Sequence, residues 1–206
     1  HFTFEKEKHT IKLDYDEEMI RFYKTIPLSD IVIYFNSVVG ERTKESVKKA
    51  FGPLLMGRNE VESANLLLSF MQQAFGYKTD QFAYGTEKYF FPDDVLHYPF
   101  SDCEDRSVLF AYLVRTLLNK EAIAVGFPGH MATAINFSDN YEGSHLTYNN
   151  KMYLLADPTY YGAPVGMVLS SVADDKATIY PIEFNSHKAN IAEKIWKQIN
   201  DYGGYK

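Results

Sequence analysis

The chain has 206 residues, which suits one domain with a sizeable core, or one domain with an arm. Its 46% hydrophobic fraction is ordinary for a globular protein, and its 16% aromatic fraction is high. With 21 Lys and Arg against 27 Asp and Glu, a net charge of −6 and a pI near 5.5 argue against nucleic acid or an anionic membrane as the main partner, and no apolar run approaches the roughly 18 residues of a membrane span.

A single cysteine, Cys103, excludes an internal disulfide and a multi-cysteine zinc site. No stretch of the sequence reads as a signal peptide, and it starts at His1 rather than Met. The expectation is a processed or trimmed product from which a leader has been removed.

In chain order, residues 2–14 alternate apolar and polar side chains, as in a hairpin arm. Residues 16–24 suit a short helix, and "IVIYF" at 31–35 reads as a short β-like run. Helix formers dominate from Glu41 to about Leu55, with Gly52-Pro53 interrupting near the end. The stretch 59–75 opens on Asn59 as an N-cap and carries Val61, Leu66, Leu67, Phe70, Met71 and Ala74 at helical spacing. Residues 76–100 are aromatic-rich and irregular, broken by Pro92 and Pro99. A second helix is expected over about 102–119, with a stripe of Cys103, Phe110, Ala111, Val114, Leu117 and Leu118.

After Glu121 the period changes to two. "IAVGF", "HMATAINF" and "MYLLADP" read as strands, "TIYPI" near 180 as a last one, and 187–201, with the only tryptophan, Trp196, as a terminal helix. Helices first and an antiparallel sheet second define an α+β chain. Residues 1–58 read as an N-terminal extension packed on a core formed by 59–206, the whole forming one unit.

Cys103 lies in the first turn of its helix, where unpaired N–H groups and the helix dipole favour a thiolate. Ser101 or Asp102 supplies the cap. Glu104 and Asp105 favour the helix start but oppose ionisation of a thiol, unless they point away from it around the axis. A lone cysteine is also commonly a small buried hydrophobe, so its meaning depends on what the rest of the chain brings to it.

A cysteine nucleophile needs a base, and the base an orienting group. Of six histidines, His130 stands out, because it follows Pro-Gly as the first residue of a strand. Asp157 ends an apolar strand beside Leu154, Leu155 and Ala156, where an unpaired carboxylate would be costly. If the two strands pair antiparallel, His130 and Asp157 meet at one sheet edge, with 139–150 as the excursion between them and Asn149-Asn150 as a tight turn. A simple three-strand meander would put them at opposite ends. Taken singly, Asp157-Pro158 also reads as an ordinary turn, and His130 as a structural histidine.

With Cys, His and Asp in this order, the chain resembles the transglutaminase-like superfamily of papain-like cysteine enzymes. The resemblance rests on "DCEDRSVLFAYLVRTL", "GFPGHMATAINF" and "YLLADPTY", and on the upstream "LLLSFMQQAFGYKTD", similar to a helix found before the cysteine in bacterial members. It implies a papain-like core with the cysteine-bearing helix packed on the sheet, Cys103 as nucleophile, His130 as general base and then acid, and Asp157 as orienter. It also implies an oxyanion site made by the Cys103 backbone N–H and a glutamine of the preceding helix, Gln72 first and Gln73 second. The alternative for both glutamines is a solvated helix face.

Two features depart from the family pattern. Met131-Ala132-Thr133 stands where many members carry a tryptophan, and the gap from histidine to aspartate is longer than in compact members. Tyr98, Phe100, Tyr160 and Tyr161 flank the motifs as candidate lining of a substrate cleft, or as ordinary aromatic packing.

The function expected on this resemblance is a cysteine-dependent hydrolase cutting a peptide, isopeptide or amide bond through a thioester, with a peptide or protein substrate and no cofactor. The alternatives are acyl transfer that crosslinks glutamine to an amine, and a non-catalytic binding or assembly module with a vestigial triad. No close spacing of histidines and acids suggests a metal site. The resemblance favours a secreted or periplasmic bacterial protein.

Overall fold

The computed structural model describes residues 1–169 and 176–183. It mixes helices with an antiparallel sheet. The chain opens with a small hairpin, β1 (Phe2–Phe4) and β2 (Glu7–His9), turned at Glu5 and Lys6, both with positive φ. The arm therefore ends at residue 9 rather than 14. It is fastened to a helix some seventy positions along the chain: Phe2 meets Phe70 edge to face, and Gln73 brackets Thr3, accepting from its N–H and donating to its carbonyl.

Four helices come next: α1 (Glu17–Tyr23), α2 (Ile31–Phe35), α3 (Glu41–Leu55) and α4 (Glu60–Ala74). The α2 segment corrects the strand expected there. Asp30 caps it by accepting from the Val32 N–H, and Ile31, Tyr34 and Phe35 are buried at helical spacing. Five apolar residues in a row carry no readable period, so the cap is the only distinguishing signal. Helix α3 runs through Pro53 to Leu55. Asn59 caps α4 in a reciprocal box with Glu62.

The aromatic-rich segment is less irregular than its sequence suggests. It holds β3 (Gly76–Tyr77), α5 (Asp80–Tyr84), α6 (Pro92–His97) and β4 (Phe100–Ser101). Strands β3 and β4 pair in parallel, Gly76 opposite Phe100 and Tyr77 opposite Ser101. Helix α7 (Cys103–Leu113) starts two residues later and continues as a π-helical turn, Val114–Leu118. Every residue of α7 except Glu104 is buried. It has no stripe, because it packs against helices α2, α4 and α6 as well as the sheet.

The sheet contains β5 (Glu121–Phe127), β6 (His130–Asn136), β7 (His145–Tyr148), β8 (Lys151–Ala156) and β9 (Thr178–Tyr180), in the order β7-β8-β6-β5-β9. Alternation along the strands divides its faces. Ala122, Ala124, Met131, Ile135, Leu154 and Ala156 join the large core with the helices. Ile123, Val125, Ala134, Tyr153 and Leu155 form a smaller cluster on the opposite face, covered by Val168. β5 and β6 turn at Pro128-Gly129, with Gly129 at φ 71°, so Phe127 pairs with His130.

The chain then leaves the sheet and returns as a β7–β8 hairpin. Its turn is Asn149-Asn150, both at positive φ, the mirror-image turn suited to twisted strands. β8, not β7, pairs with β6, with Thr133 opposite Ala156. The sheet is therefore not a simple meander. β7 lies in the stretch expected to be an excursion. The terminal helix expected at 187–201 lies outside the described residues.

Candidate active site

The β6–β8 register brings the start of one strand beside the end of the other, so His130 and Asp157 share an edge. His130 Nε2 lies 2.9 Å from Asp157 Oδ2. Asp157 is fully buried. Its second oxygen, Oδ1, accepts from the Thr159 N–H at 2.9 Å, the Thr159 hydroxyl at 2.6 Å and the Tyr160 N–H at 3.2 Å. The carboxylate thus forms the Asp-Pro turn with one oxygen and holds the imidazole with the other; the two readings of Asp157 are not exclusive. Burial alone would raise its pKa, but the bonds from His130 and Thr159 outweigh it and hold the carboxyl below its usual value. Since Nε2 faces Asp157, Nδ1 is the nitrogen left to serve a reacting group.

Cys103 is buried at the first position of α7. Asp102 is the cap, accepting from the Asp105 N–H while Asp105 accepts from the Asp102 N–H. The first turn of α7 rests on β6 next to His130: Ser107 donates to the Met131 carbonyl, and the Met131 N–H reaches the Cys103 sulfur. The thiol itself donates to Glu104 Oε2 at 2.9 Å. Of the neighbouring acids, Glu104 thus does face the sulfur. Glu104 is adjacent in the chain, and its side chain is long enough to fold back onto Sγ.

The electrostatics reflect this contact. Burial pushes the Cys103 thiol well above its ordinary range, the Glu104 charge and hydrogen bond push it further, and the opposing Met131 N–H is outweighed. The helix start does not win, and the resting sulfur is a protonated thiol.

Sequence reasoning misses Tyr77. Its register opposite Ser101 sets it near the cysteine, and its hydroxyl comes close enough to the Cys103 side chain for the two to influence each other's ionisation. Nothing in the periodicity reveals a two-residue strand, so the contact is not legible there.

The two glutamines are occupied. Gln72 is buried. Its amide donates to the Asp157 carbonyl at 3.1 Å and the Ala163 carbonyl at 3.0 Å, and accepts from the Gly162 N–H at 3.0 Å. Both amide hydrogens are spent on the loop that carries Asp157, which leaves none for an oxyanion. Gln73 is committed to Thr3. Neither is a solvated helix glutamine either: one clamps the aspartate loop, the other the N-terminal hairpin.

The four aromatics do not gather in one cleft. Tyr98 stacks on Phe90 and lines a cavity of about 160 Å³ with Tyr23, Tyr34, Lys24 and Lys88. Tyr161 is exposed and lines a separate groove of about 530 Å³ with the N-terminal hairpin and Gln72. Phe100 lies under Lys78. Tyr160 contributes its backbone N–H to Asp157.

A cluster of acids adjoins the cysteine. Carboxylate oxygens of Asp80, Asp102 and Asp105, all buried, lie within 4.8 Å of one another. Such an all-oxygen set could hold a hard cation, although its oxygens also serve the backbone: Asp80 accepts from the Lys88 N–H and Asp105 from the Phe90 N–H. Burial, with Glu104 and Asp80 adding to it, pushes Asp102 up to about 7. Burial and Asp102 raise Asp105. The grouping cannot be read along the chain, because Asp80 arrives from α5.

No family model and no curated protein matches the chain. Among solved structures it is distantly similar to Legionella pneumophila LapG. The EGTA-treated form aligns with a TM-score of 0.46 and a second LapG structure with 0.45. Each is 16% identical and covers 86% of this chain and 99% of that one. Among the described residues no helix is long and apolar enough to cross a membrane.

Proposed function

We propose that the protein is a cysteine-dependent hydrolase of the transglutaminase-like, papain-like type, acting on a peptide, isopeptide or amide bond. The observation that carries this reading is the 2.9 Å His130–Asp157 pair at the strand start on which the Cys103 helix rests. In this reading 59–206 is the catalytic unit and 1–58 the extension packed on it.

His130 Nδ1 takes the thiol proton as Sγ attacks the carbonyl carbon. The carbonyl π pair moves to oxygen, giving a tetrahedral oxyanion beside the Cys103 N–H. When the intermediate collapses, the C–N bond breaks and His130 returns the proton to the leaving amine. Water, deprotonated by His130, then attacks the thioester and frees the acid and the thiol. Asp157 fixes the imidazole and balances the imidazolium formed in each step. Because the thiol is neutral at rest, the proton moves during attack, and Glu104 must first leave the sulfur.

A protonated, Glu104-bound thiol also favours a second reading, a binding or assembly module that keeps the triad as scaffold. The test incubates the protein with a mixture of glutamine- and lysine-containing peptides plus a fluorescent primary amine. Hydrolysis predicts new termini or ammonia without amine incorporation, absent in Cys103→Ala. Amine incorporation would mean crosslinking, and no Cys103-dependent product would favour the scaffold.

A further inference from the structure

We infer that Tyr77 is a catalytic residue of the proposed reaction: its hydroxyl is the side-chain donor that holds the oxyanion formed when Cys103 attacks a carbonyl. The inference rests on the hydrolase reading above and supplies what that reading lacks, since the amides of Gln72 and Gln73 are engaged elsewhere.

Two features hold the phenol in place. The parallel β3–β4 bridge sets Tyr77 opposite Ser101, two residues before the nucleophile, and is closed on both sides, by Gly76 N–H to the Pro99 carbonyl and Lys78 N–H to the Ser101 carbonyl. The buried Arg106 guanidinium lies over the Tyr77 ring, 5.4 Å from its centroid. That guanidinium is itself fixed, donating to the Phe75 carbonyl at 2.7 Å and to the Ser101 hydroxyl at 3.3 Å. Arg106 thus ties the residues flanking Tyr77 to those flanking Cys103.

The hydroxyl lies close to the Cys103 side chain. An oxygen on the carbon bonded to Sγ forms one bond further out from the sulfur, so a donor held near the sulfur by the β3–β4 bridge and the Arg106 guanidinium can reach the oxyanion in the intermediate. Tyr77 is 54% exposed, which leaves its flank open to an arriving acyl group. Burial of the hydroxyl end, together with Cys103 and Asp102, pushes its pKa well up, so the phenol keeps its proton at neutral pH and remains a donor. It lends a hydrogen bond and transfers no proton; the thiol proton goes to His130.

Two reagents that attack the same sulfur separate this role from a structural one. p-Nitrophenyl acetate reacts through a tetrahedral oxyanion: the S–C bond forms, and the C–O bond breaks to release p-nitrophenolate. Iodoacetamide reacts by displacement of iodide and forms no oxyanion. Rates of Cys103 acetylation and alkylation are measured by intact mass for wild type, Tyr77→Phe, Tyr77→Gln and His130→Ala. In Tyr77→Phe the ratio of acetylation to alkylation should fall about tenfold or more, a modest share of what one oxyanion donor is worth. Tyr77→Gln, which restores a donor, should recover part of it.

Equal changes in both rates, or an unchanged ratio, would overturn the Tyr77 role while leaving the triad standing. Wild-type acetylation no faster than that of His130→Ala would instead overturn the triad reading, and the Tyr77 role with it. Alkylation of each variant in its native state at a rate below that of the unfolded chain shows that the site is still formed.

Discussion

The two halves of the site are built in opposite ways. At the sheet edge, each charge meets a partner of the opposite kind: Asp157 faces the imidazole with one oxygen and three donors with the other. At the helix start, acids crowd together, with the Arg106 guanidinium beside them. Cys103, Glu104, Asp102, Asp105 and Asp80 all become anions on ionising, and burial leaves several of them protonated or raised. The sheet half is poised and the helix half restrained. The position of the proposed nucleophile and its readiness are therefore separate properties, set by different elements.

The largest effects should come from breaking the poised half. His130→Ala should slow Cys103 acetylation by about 10²–10⁴, the usual value of a positioned base, and Asp157→Asn by a comparable factor, because the amide can stabilise neither the tautomer nor the imidazolium. Cys103→Ala should abolish acetylation altogether. If its stability to unfolding fell by as much as a core deletion, roughly 2 kcal/mol or more, a purely structural cysteine would be favoured.

Loosening the restrained half should act in the other direction. Glu104→Gln removes the charge that adds to burial in raising the thiol, so the pH midpoint of iodoacetamide alkylation should move down. Alkylation at pH 7.5 should speed up by about tenfold for each unit of that move. An unchanged profile would mean that burial alone restrains the sulfur.

Gln72→Ala should loosen the loop that holds Asp157, at a cost of about 1–3 kcal/mol for three lost bonds in a buried place, read by urea unfolding.

The pH dependence of the acid cluster should be weaker still. A carboxyl whose folded pKa is raised holds a proton that the unfolded chain has already released. Asp102, raised to about 7, therefore makes stability fall as pH climbs from about 4 to about 7. Asp80→Asn keeps an acceptor for the Lys88 N–H and removes one charge from the group. It should gain stability at pH 8, where the crowded carboxyls would be charged, and little at pH 4. Equal gains at both values would show that the cluster is not crowded by charge.

How much of this is legible in the sequence depends on what carries the signal. The capping residue Asn59, the Pro-Gly before His130 and the Asn-Asn turn are local chemistry, and each marks its element. The β6–β8 pairing can be posed from sequence as a choice between two topologies. α2 reads as a strand because five apolar residues fit either period, and the fully buried α7 shows no stripe because every side of it is packed. The contacts around the sulfur are hidden for a different reason. Tyr77 and Asp80 come from short elements whose places are fixed by tertiary packing. The Glu104 rotamer depends on burial that one sequence does not display. Gln72 leaves one faint mark, four residues after the buried Leu68 on the same face of α4.

Whether Cys103 is a nucleophile served by the His130–Asp157 pair is decided by following one acyl group. Wild type and His130→Ala are mixed with p-nitrophenyl acetate, and the mass of the peptide carrying Cys103 is followed over time. A served nucleophile predicts an acetyl group that appears on Cys103 and then disappears as water resolves the thioester, with both phases slowed by about 10² or more in His130→Ala. No acetyl group on Cys103, or the same time course in both proteins, would contradict it.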